Sequence, residues 1–298
     1  MLRYIQRPSE RAYFERPDDM PEVLHRLLIQ RGVASAAEAQ AFLNPSEDHL
    51  NDPMLLSDMH KAVEIIRSHA EKGDGICIYG DYDVDGVCAS AILADYFDEI
   101  GVDYEVYLPS RHSEGYGLNE NAIREIAARN ALLVTVDCGI SSHDLIEIAK
   151  AEGLECVVTD HHRPGDILPE CPVVNPLLND YPFPWLCGAG VAFKMVHALG
   201  GMEAAMKRID LAAIATVADI VALKGENRAI VALGLKSINK KPRTGVKALM
   251  ESARIEEGRV DSETIGFRIA PRLNAGGRLG SARRFLKSGD IVPLFKEV

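Results

Sequence analysis

Residues 75–86 read GICIYGDYDVDG, and this stretch decides the fold. Its first half is a short, nearly unbroken apolar run, as a strand covered on both faces requires. Its second half sets Asp81, Asp83 and Asp85 ahead of Gly86 and a helix-like segment to about Ile100. The same alternation continues downstream. DYEVYLP (103–109) reads as a second strand, followed by a helix from Asn119 to about Asn130. ALLVTVD (131–137) and LECVVTD (154–160) read as two more strands, separated by a helix over 142–151. Apolar strands alternating with amphipathic helices predict an α/β fold built on a doubly wound, mostly parallel sheet.

The flanking segments are helical in pattern. PEVLHRLLIQR (21–31) has helical apolar spacing, and Ser35 is placed to cap a second helix through AAEAQAFL that ends near Asn44-Pro45. SDMHKAVEIIRSHAEK (57–72) delivers the chain to the first strand. Beyond PLLNDYPFPW (176–185), the stretches 188–199 and 204–221 read as buried helices, 226–252 as a basic helical region, and TIGFRIAPRLNAGGRLGSA (264–282) as turn-rich. The expected organisation is a helical lead-in over 1–56, an α/β domain over 57–225 and a basic helical segment over 226–298.

Composition narrows the class. Apolar residues make up 47% and charged residues 26% of 298, ordinary for a globular protein. No stretch approaches the ~18–20 apolar residues of a membrane span, and the charged, Pro-containing start lacks the apolar centre of a secretory signal. A cytoplasmic location without membrane contact is therefore expected. None of the six cysteines forms a CxxC pair, so they read as reduced, packed thiols. The net charge of −11 argues against a wholly basic nucleic-acid clamp. It conceals an asymmetry: residues 1–223 carry 17 Lys/Arg against 36 Asp/Glu, whereas 224–287 carry 15 against 6. The basic part could hold a polyanion or be a solvated helical surface.

Three strand ends carry the notable polar groups: Asp81, Asp83 and Asp85; Asp137; and Asp160, His161 and His162. In a doubly wound sheet the C-terminal strand ends share one edge, where ligands bind. Asp219, at the end of IATVADIV, could join them. An isolated DxDxDG is compatible with an Asx turn capping a helix, and a lone strand-end Asp with an N-cap. Recurrence at successive strand ends favours a site. Carboxylates gathered in one crevice repel unless cations offset them, and oxygen ligands with imidazole suit Mn²⁺ or Mg²⁺. Two such ions ~3.5–4 Å apart can clamp a phosphoryl group, which makes phosphate-ester hydrolysis the natural chemistry.

DYDVDG, VDCG, TDHH and TVAD resemble, in order, the metal-site motifs of the DHH phosphoesterase superfamily. RGVASAAEAQAFLNP, YLPSRHSEGYGL, GAGVAFK and GFRIAPRLNAGGRLG resemble RecJ-type exonucleases in particular, so that the likeness covers nearly the whole chain. It implies that Asp83, Asp85, Asp137, His161 and Asp219 are ligands of two Mn²⁺ or Mg²⁺ ions, with Asp137 bridging. Some relatives place a ligand histidine where Tyr79 stands here, so Asp81 is expected to substitute. His162 would face the scissile phosphate, and Asp160 would orient its neighbours. Arg111, Arg272, Asn274 and Arg278 would bind substrate phosphate, with Gly276 and Gly277 allowing close approach. For the glycines at 188 and 190 two readings stand, backbone N–H donors at a helix start or close helix packing; Tyr116 is either a base-stacking or a packed loop residue.

The implied activity is 5′-to-3′ hydrolysis of single-stranded DNA in repair and recombination, with a single-strand-binding protein or a helicase as accessory partner. RecJ-type proteins normally continue into a DHHA1 domain and an OB-fold, and nothing in this sequence resembles either. The resemblance therefore implies a fragment, or one part of a split enzyme, that retains metal binding with weakened activity. Two other readings are a DHH phosphodiesterase of short oligonucleotides or cyclic dinucleotides, and a non-enzymatic replication or repair scaffold.

Overall fold

The computed structural model describes residues 14–110, 115 and 117–279. The elements in chain order are α1 (Glu22–Gln30), α2 (Ala36–Leu43), α3 (Met59–Lys72), β1 (Ile76–Gly80), α4 (Val84–Ile100) and β2 (Tyr104–Tyr107). Next come α5 (Glu120–Ala127), β3 (Leu132–Val136), α6 (His143–Ala151), β4 (Glu155–Thr159), β5 (Val173–Val174) and α7 (Gly188–Met206). The described chain closes with α8 (Ile209–Ala218), α9 (Gly225–Lys240), α10 (Thr244–Ser252), α11 (Ser262–Thr264), a π-helical turn (Ile265–Ile269) and α12 (Ala270–Leu279).

The sheet is wholly parallel in the order β2-β1-β3-β4-β5, which agrees with the doubly wound expectation. Period-2 alternation sends successive side chains of one strand to opposite faces. Ile76, Ile78, Leu132, Val134 and Val136 join the larger core beneath α3, α4, α7 and α8, while Cys77, Tyr79 and Leu133 join a second core beneath α5 and α6. Both faces are thus covered, as the unbroken apolar strands demand. Strand order reverses between β1 and β3, and that switch point is where an open α/β sheet leaves a crevice. β5, two residues long, was not read from the sequence.

The expected helices 21–31, 57–72 and 142–151 form, and Ser35 caps α2 by accepting from the Glu38 N–H. Residues 264–282 were expected to be turn-rich. Instead, helical structure runs over 262–279. Asp261 caps it by accepting from the Thr264 N–H, and buried Ile265, Ile269, Ala270 and Leu273 line its inner face. This apolar stripe outweighs Gly266 and Pro271, which had suggested turns. The Ala270 N–H bonds the Ile265 carbonyl, a π register directly ahead of Pro271.

The larger core is continuous from Leu50 to Leu273, whereas Phe14, Met20, Leu28, Val33 and Ala39 form a separate small cluster. α8 and α9 pack closely because Gly234 lacks a side chain. A Cβ there would meet the Ala213 Cβ at 2.2 Å and the Ile209 carbonyl oxygen at 2.7 Å. Lys194 and Glu226, both fully buried, form an ion pair that also binds Asn51 and Tyr181, tying α7, α9 and the lead-in together. No helix among the described residues is long and apolar enough to cross a membrane. Five cysteines are buried and Cys171 is half-buried, and none is in a disulfide.

Gly234→Ala is expected to destabilise the protein by ~1–3 kcal/mol, because a backbone carbonyl cannot yield cheaply to overpacking. The helix-propensity gain of ~1 kcal/mol does not offset it. A urea denaturation midpoint at or above that of the parent protein would contradict this packing.

Candidate metal centre

Each acidic residue of the crevice is fixed by its own stretch of backbone. Asp83 is the N-cap of α4; its Oδ1 accepts from the Asp85 N–H at 2.9 Å and the Gly86 N–H at 3.0 Å. Asp85, 2% exposed, accepts from Gly188 N–H at 2.6 Å and Ala189 N–H at 2.8 Å, the first turn of α7. The helix start that sequence had offered to a ligand is therefore spent on an internal carboxylate. The close packing at Gly188 is against a strand end and not another helix, since a Cβ there would lie 2.5 Å from the Asp137 Cβ. Asp137 follows β3 with φ +60°, a left-handed conformation that Asp tolerates better than most residues. Gly86 admits Asp81, whose backbone nitrogen would be 2.6 Å from an added Cβ.

His161 stands between these groups. Its Nε2 lies 3.2 Å from Asp137 Oδ1 and 3.6 Å from Asp85 Oδ2, and its Nδ1 lies 3.9 Å from Asp219 Oδ2. Two ligand sets emerge: Asp81, Asp83 and Asp137, and Asp85, His161 and Asp219, each with one donor atom per residue within 4.8 Å of the others. Asp137 also groups with His161 and His162, so it touches both halves. Among the described residues the buried Oδ1 atoms of Asp81 and Asp137 have no hydrogen-bond partner, the 3.2 Å approach of His161 being poorly aligned for one. Buried polar atoms are nearly always satisfied, so these two oxygens suit a cation.

The electrostatics agree. Burial pushes Asp81 up to about 7, with the Asp83 charge adding to it. Burial and repulsion from Asp85 and Asp83 likewise push Asp219 up to about 7. The same two causes drive Asp137 well above the carboxylate range, and burial raises Asp83. His161 is pulled down by burial, which keeps the imidazole neutral and able to ligate. Hard oxygens with a neutral imidazole fit Mn²⁺ or Mg²⁺, and no thiol lies among them.

Asp160 behaves differently. Its Oδ1 accepts from the N–H groups of His161 and His162 and from His162 Nδ1 at 2.7 Å, and its Oδ2 accepts from the Ile140 N–H. Burial would raise its pKa, but these hydrogen bonds outweigh it and hold the carboxyl below its usual range. The same contact raises His162. Asp160 therefore positions the His-His turn. The fully buried Asn175, which follows β5, donates to the His162 carbonyl at 3.0 Å and was missed by sequence reasoning, because β5 was.

Tyr79 is turned away, donating its hydroxyl to the Gly117 carbonyl at 2.9 Å and stacking on Tyr107. Asp81 alone of the two enters the cluster. Arg272 is half-buried and donates to the Arg268 carbonyl at 2.6 Å, and Asn274 is half-buried on α12, which packs against α4 and α8. Arg111 and Tyr116 lie outside the described residues, as do the Arg278 side chain and the surroundings of Gly276 and Gly277.

The family model described as "DHH family, N-terminal domain" matches residues 75–223, the sheet and every acidic group of the crevice. The chain belongs to the DHH family. Among curated proteins, this DHH chain is 39% identical over 288 residues to the "Single-stranded-DNA-specific exonuclease RecJ" of Bacillus subtilis, covering 93% of this chain and 36% of that one. It is 38% identical over 285 residues to the protein of that name from Escherichia coli, covering 88% and 48%. A RecJ crystal structure in complex with Mn²⁺ from Thermus thermophilus superposes with TM-score 0.75 at 32% identity, over 87% of this chain and 37% of that one. The chain thus spans between about a third and a half of the length of these relatives.

With the metal removed by a chelator, Asp81 and Asp219 protonate in the folded state at higher pH than in the unfolded chain. The folded state then binds more protons between the unfolded value of 3.8 and about 7. Stability should therefore fall as pH rises through that window. Thermal melting in EDTA is expected to show a lower Tm at pH 8 than at pH 6, with Mn²⁺ restoring it. A Tm at pH 8 that Mn²⁺ does not raise would contradict the cation site.

Proposed function

We propose that this chain carries the catalytic centre of a metal-dependent exonuclease that hydrolyses phosphodiester bonds of single-stranded DNA 5′-to-3′ in repair and recombination. The observation that carries the reading is the meeting of two three-residue ligand sets at the sheet's switch point, His161 of one set lying 3.2 Å from Asp137 of the other. The names of the RecJ relatives support the substrate class. In this reading the protein acts in the cytoplasm, with a single-strand-binding protein or a helicase presenting the strand.

Asp81, Asp83 and Asp137 would hold one Mn²⁺ or Mg²⁺ ion, and Asp85, His161 and Asp219 a second. Bound there, such ions supply Lewis acidity toward a phosphoryl oxygen and a water of lowered pKa. The protein's own groups do the rest. The N–H groups of Gly188 and Ala189 fix Asp85, so that the second set keeps its shape when substrate enters. His162, exposed at the mouth and raised by Asp160, is suited to carry a proton and donate it to a phosphate or leaving-group oxygen. α12, bearing Arg272, Asn274 and Arg278, is proposed to contact backbone phosphates, since it packs on the helices that carry Asp83, Asp85 and Asp219.

End-labelled single- and double-stranded DNA and a short dinucleotide, each incubated with the protein and Mn²⁺, test the reading. Single strands should be degraded from the 5′ end. Asp137→Ala should abolish this, and His162→Ala should lower it ~10²-fold or more. Preferential cleavage of the dinucleotide would replace the exonuclease with a small-substrate phosphodiesterase. No Mn²⁺-dependent cleavage of any of the three would remove the enzymatic reading.

A further inference from the structure

A second cluster of charge lies outside the acidic crevice. A cavity of about 170 Å³ between the lead-in and the start of α9 is lined by Arg31, Lys224 and Arg228 together with Val33 and Phe42. The Lys224 ammonium sits over Gly32, 3.5 Å from where a Cβ would stand. The Arg228 guanidinium lies 3.7 Å above the centre of the Phe42 ring and donates to the Phe42 carbonyl. None of the three cations has a carboxylate partner among the described residues. The wall's carboxylate, Glu38, is exposed and accepts from the Ala34 N–H, and the wall's His49 Nδ1 accepts from the Ser46 N–H. Three cations face a wall with one carboxylate, which forms an ion pair with none of them, and so repel one another; burial and the Arg31 charge both pull Arg228 downward. The α9 N-terminus at Gly225 adds its dipole to the same wall.

The cavity is near the metal centre along the chain. Lys224 follows Asp219 by five residues, so their Cα atoms are at most ~18 Å apart. The Trp185 loop is linked to both, by the chain to α7 and by a hydrogen bond to α9. Trp185 is 54% exposed and stands two residues before the N-cap of α7, the helix whose first N–H groups hold Asp85. Asn227 of α9 donates to the Trp185 carbonyl at 2.6 Å and to the Ala222 carbonyl at 3.1 Å, so it ties both loops to the cavity's helix. Phe183 packs edge-on against the Trp185 ring and closes on Gly225. An exposed indole on a loop tied to the helix that carries these cations has the chemistry of a single-strand contact, base stacking with phosphate pairing.

We propose that the cavity of Arg31, Lys224 and Arg228 is a second phosphate subsite, holding a backbone phosphate of the bound strand away from the scissile bond while Trp185 stacks on a base between. This rests on the reading of the chain as a single-strand nuclease. It assigns the lead-in, through Arg31, a part in gripping substrate. The same chemistry would accept the phosphate of a released mononucleotide, and strand and mononucleotide are told apart below.

Trp185 is the one tryptophan in the sequence, so its fluorescence reports on the loop directly. An oligothymidylate long enough to span both sites, added in EDTA, is expected to quench it. The exposed pair Arg31→Gln and Lys224→Gln, combined, should weaken binding about 10-fold, the worth of roughly one charge-assisted hydrogen bond. It should also make the dependence of log affinity on log salt shallower by ~0.7 for each phosphate no longer neutralised. Arg228→Gln is a poorer probe, because it also removes packing on Phe42; thermal melting verifies that the exposed pair stays folded. Thymidine monophosphate is the second arm: tight binding that the double variant abolishes would make the free nucleotide the occupant and still support a phosphate subsite. Unchanged affinity and salt dependence for both probes would overturn the proposal. Hydrolysis plays no part in a measurement made in EDTA, so this failure is separable from that of the nuclease reading, which digestion with Mn²⁺ tests alone.

Discussion

Charge crowding at the sheet's switch point is the constraint on which the rest depends. Asp81, Asp85 and Asp137 are each no more than 3% exposed, with Asp83 and Asp219 at their side. Burying a carboxylate is costly unless it is hydrogen-bonded or neutralised. The fold applies different remedies to different members. Backbone N–H groups satisfy oxygens of Asp83 and Asp85 and hold both side chains in place. Asp81 and Asp137 each keep a buried oxygen without a donor. Those oxygens account for the cation requirement, and the satisfied carboxylates give the site its rigidity.

This division explains the glycines around the site. Gly86 and Gly188 each stand where a Cβ would overlap backbone or carboxyl atoms of an acidic residue. Neither is needed for a turn; both let a helix start approach a strand end within van der Waals range. Asp137 itself carries the strained backbone, and its N–H bonds the Thr159 carbonyl on the adjacent strand end. Non-glycine residues in left-handed conformations persist where the surroundings over-determine them, often at functional sites. Here the surroundings are β4 on one side and the first turn of α7 on the other.

Much of this was legible from the letters because parallel strands buried on both faces leave few alternatives. GICIYG, ALLVTVD and LECVVTD each lead directly into an acidic residue or end on one, and a parallel sheet places all such ends along one edge. The covering helices followed from spacing. What was illegible has physical reasons. β5 is two residues long and carries no periodic signal, so its neighbour Asn175 could not be seen to orient His162. The segment 262–279 contains glycine and proline, and only burial of Ile265, Ile269 and Leu273 reveals why it is helical. The use of Gly188 and Ala189 by Asp85 joins residues about a hundred positions apart, beyond any local pattern.

The buried Lys194–Glu226 pair makes the two charged regions parts of one device. Lys194 lies in α7, whose first turn fixes Asp85, and Glu226 lies in the first turn of α9, beside Lys224 and Arg228 of the cationic cavity. Removing one partner of such a pair costs ~3–5 kcal/mol, because the other charge is left buried alone. The pair therefore ties α7 to the first turn of α9. Asn51 and Tyr181 also donate to Glu226, which extends the lock to the lead-in and to the loop before Trp185. In the proposed reading, where the acidic crevice holds metal and the cationic cavity grips a strand, such a strut keeps the two in fixed relation. A purely apolar contact in place of Lys194 and Glu226 would leave the relative placement of the two helices less tightly specified, since apolar burial is non-directional.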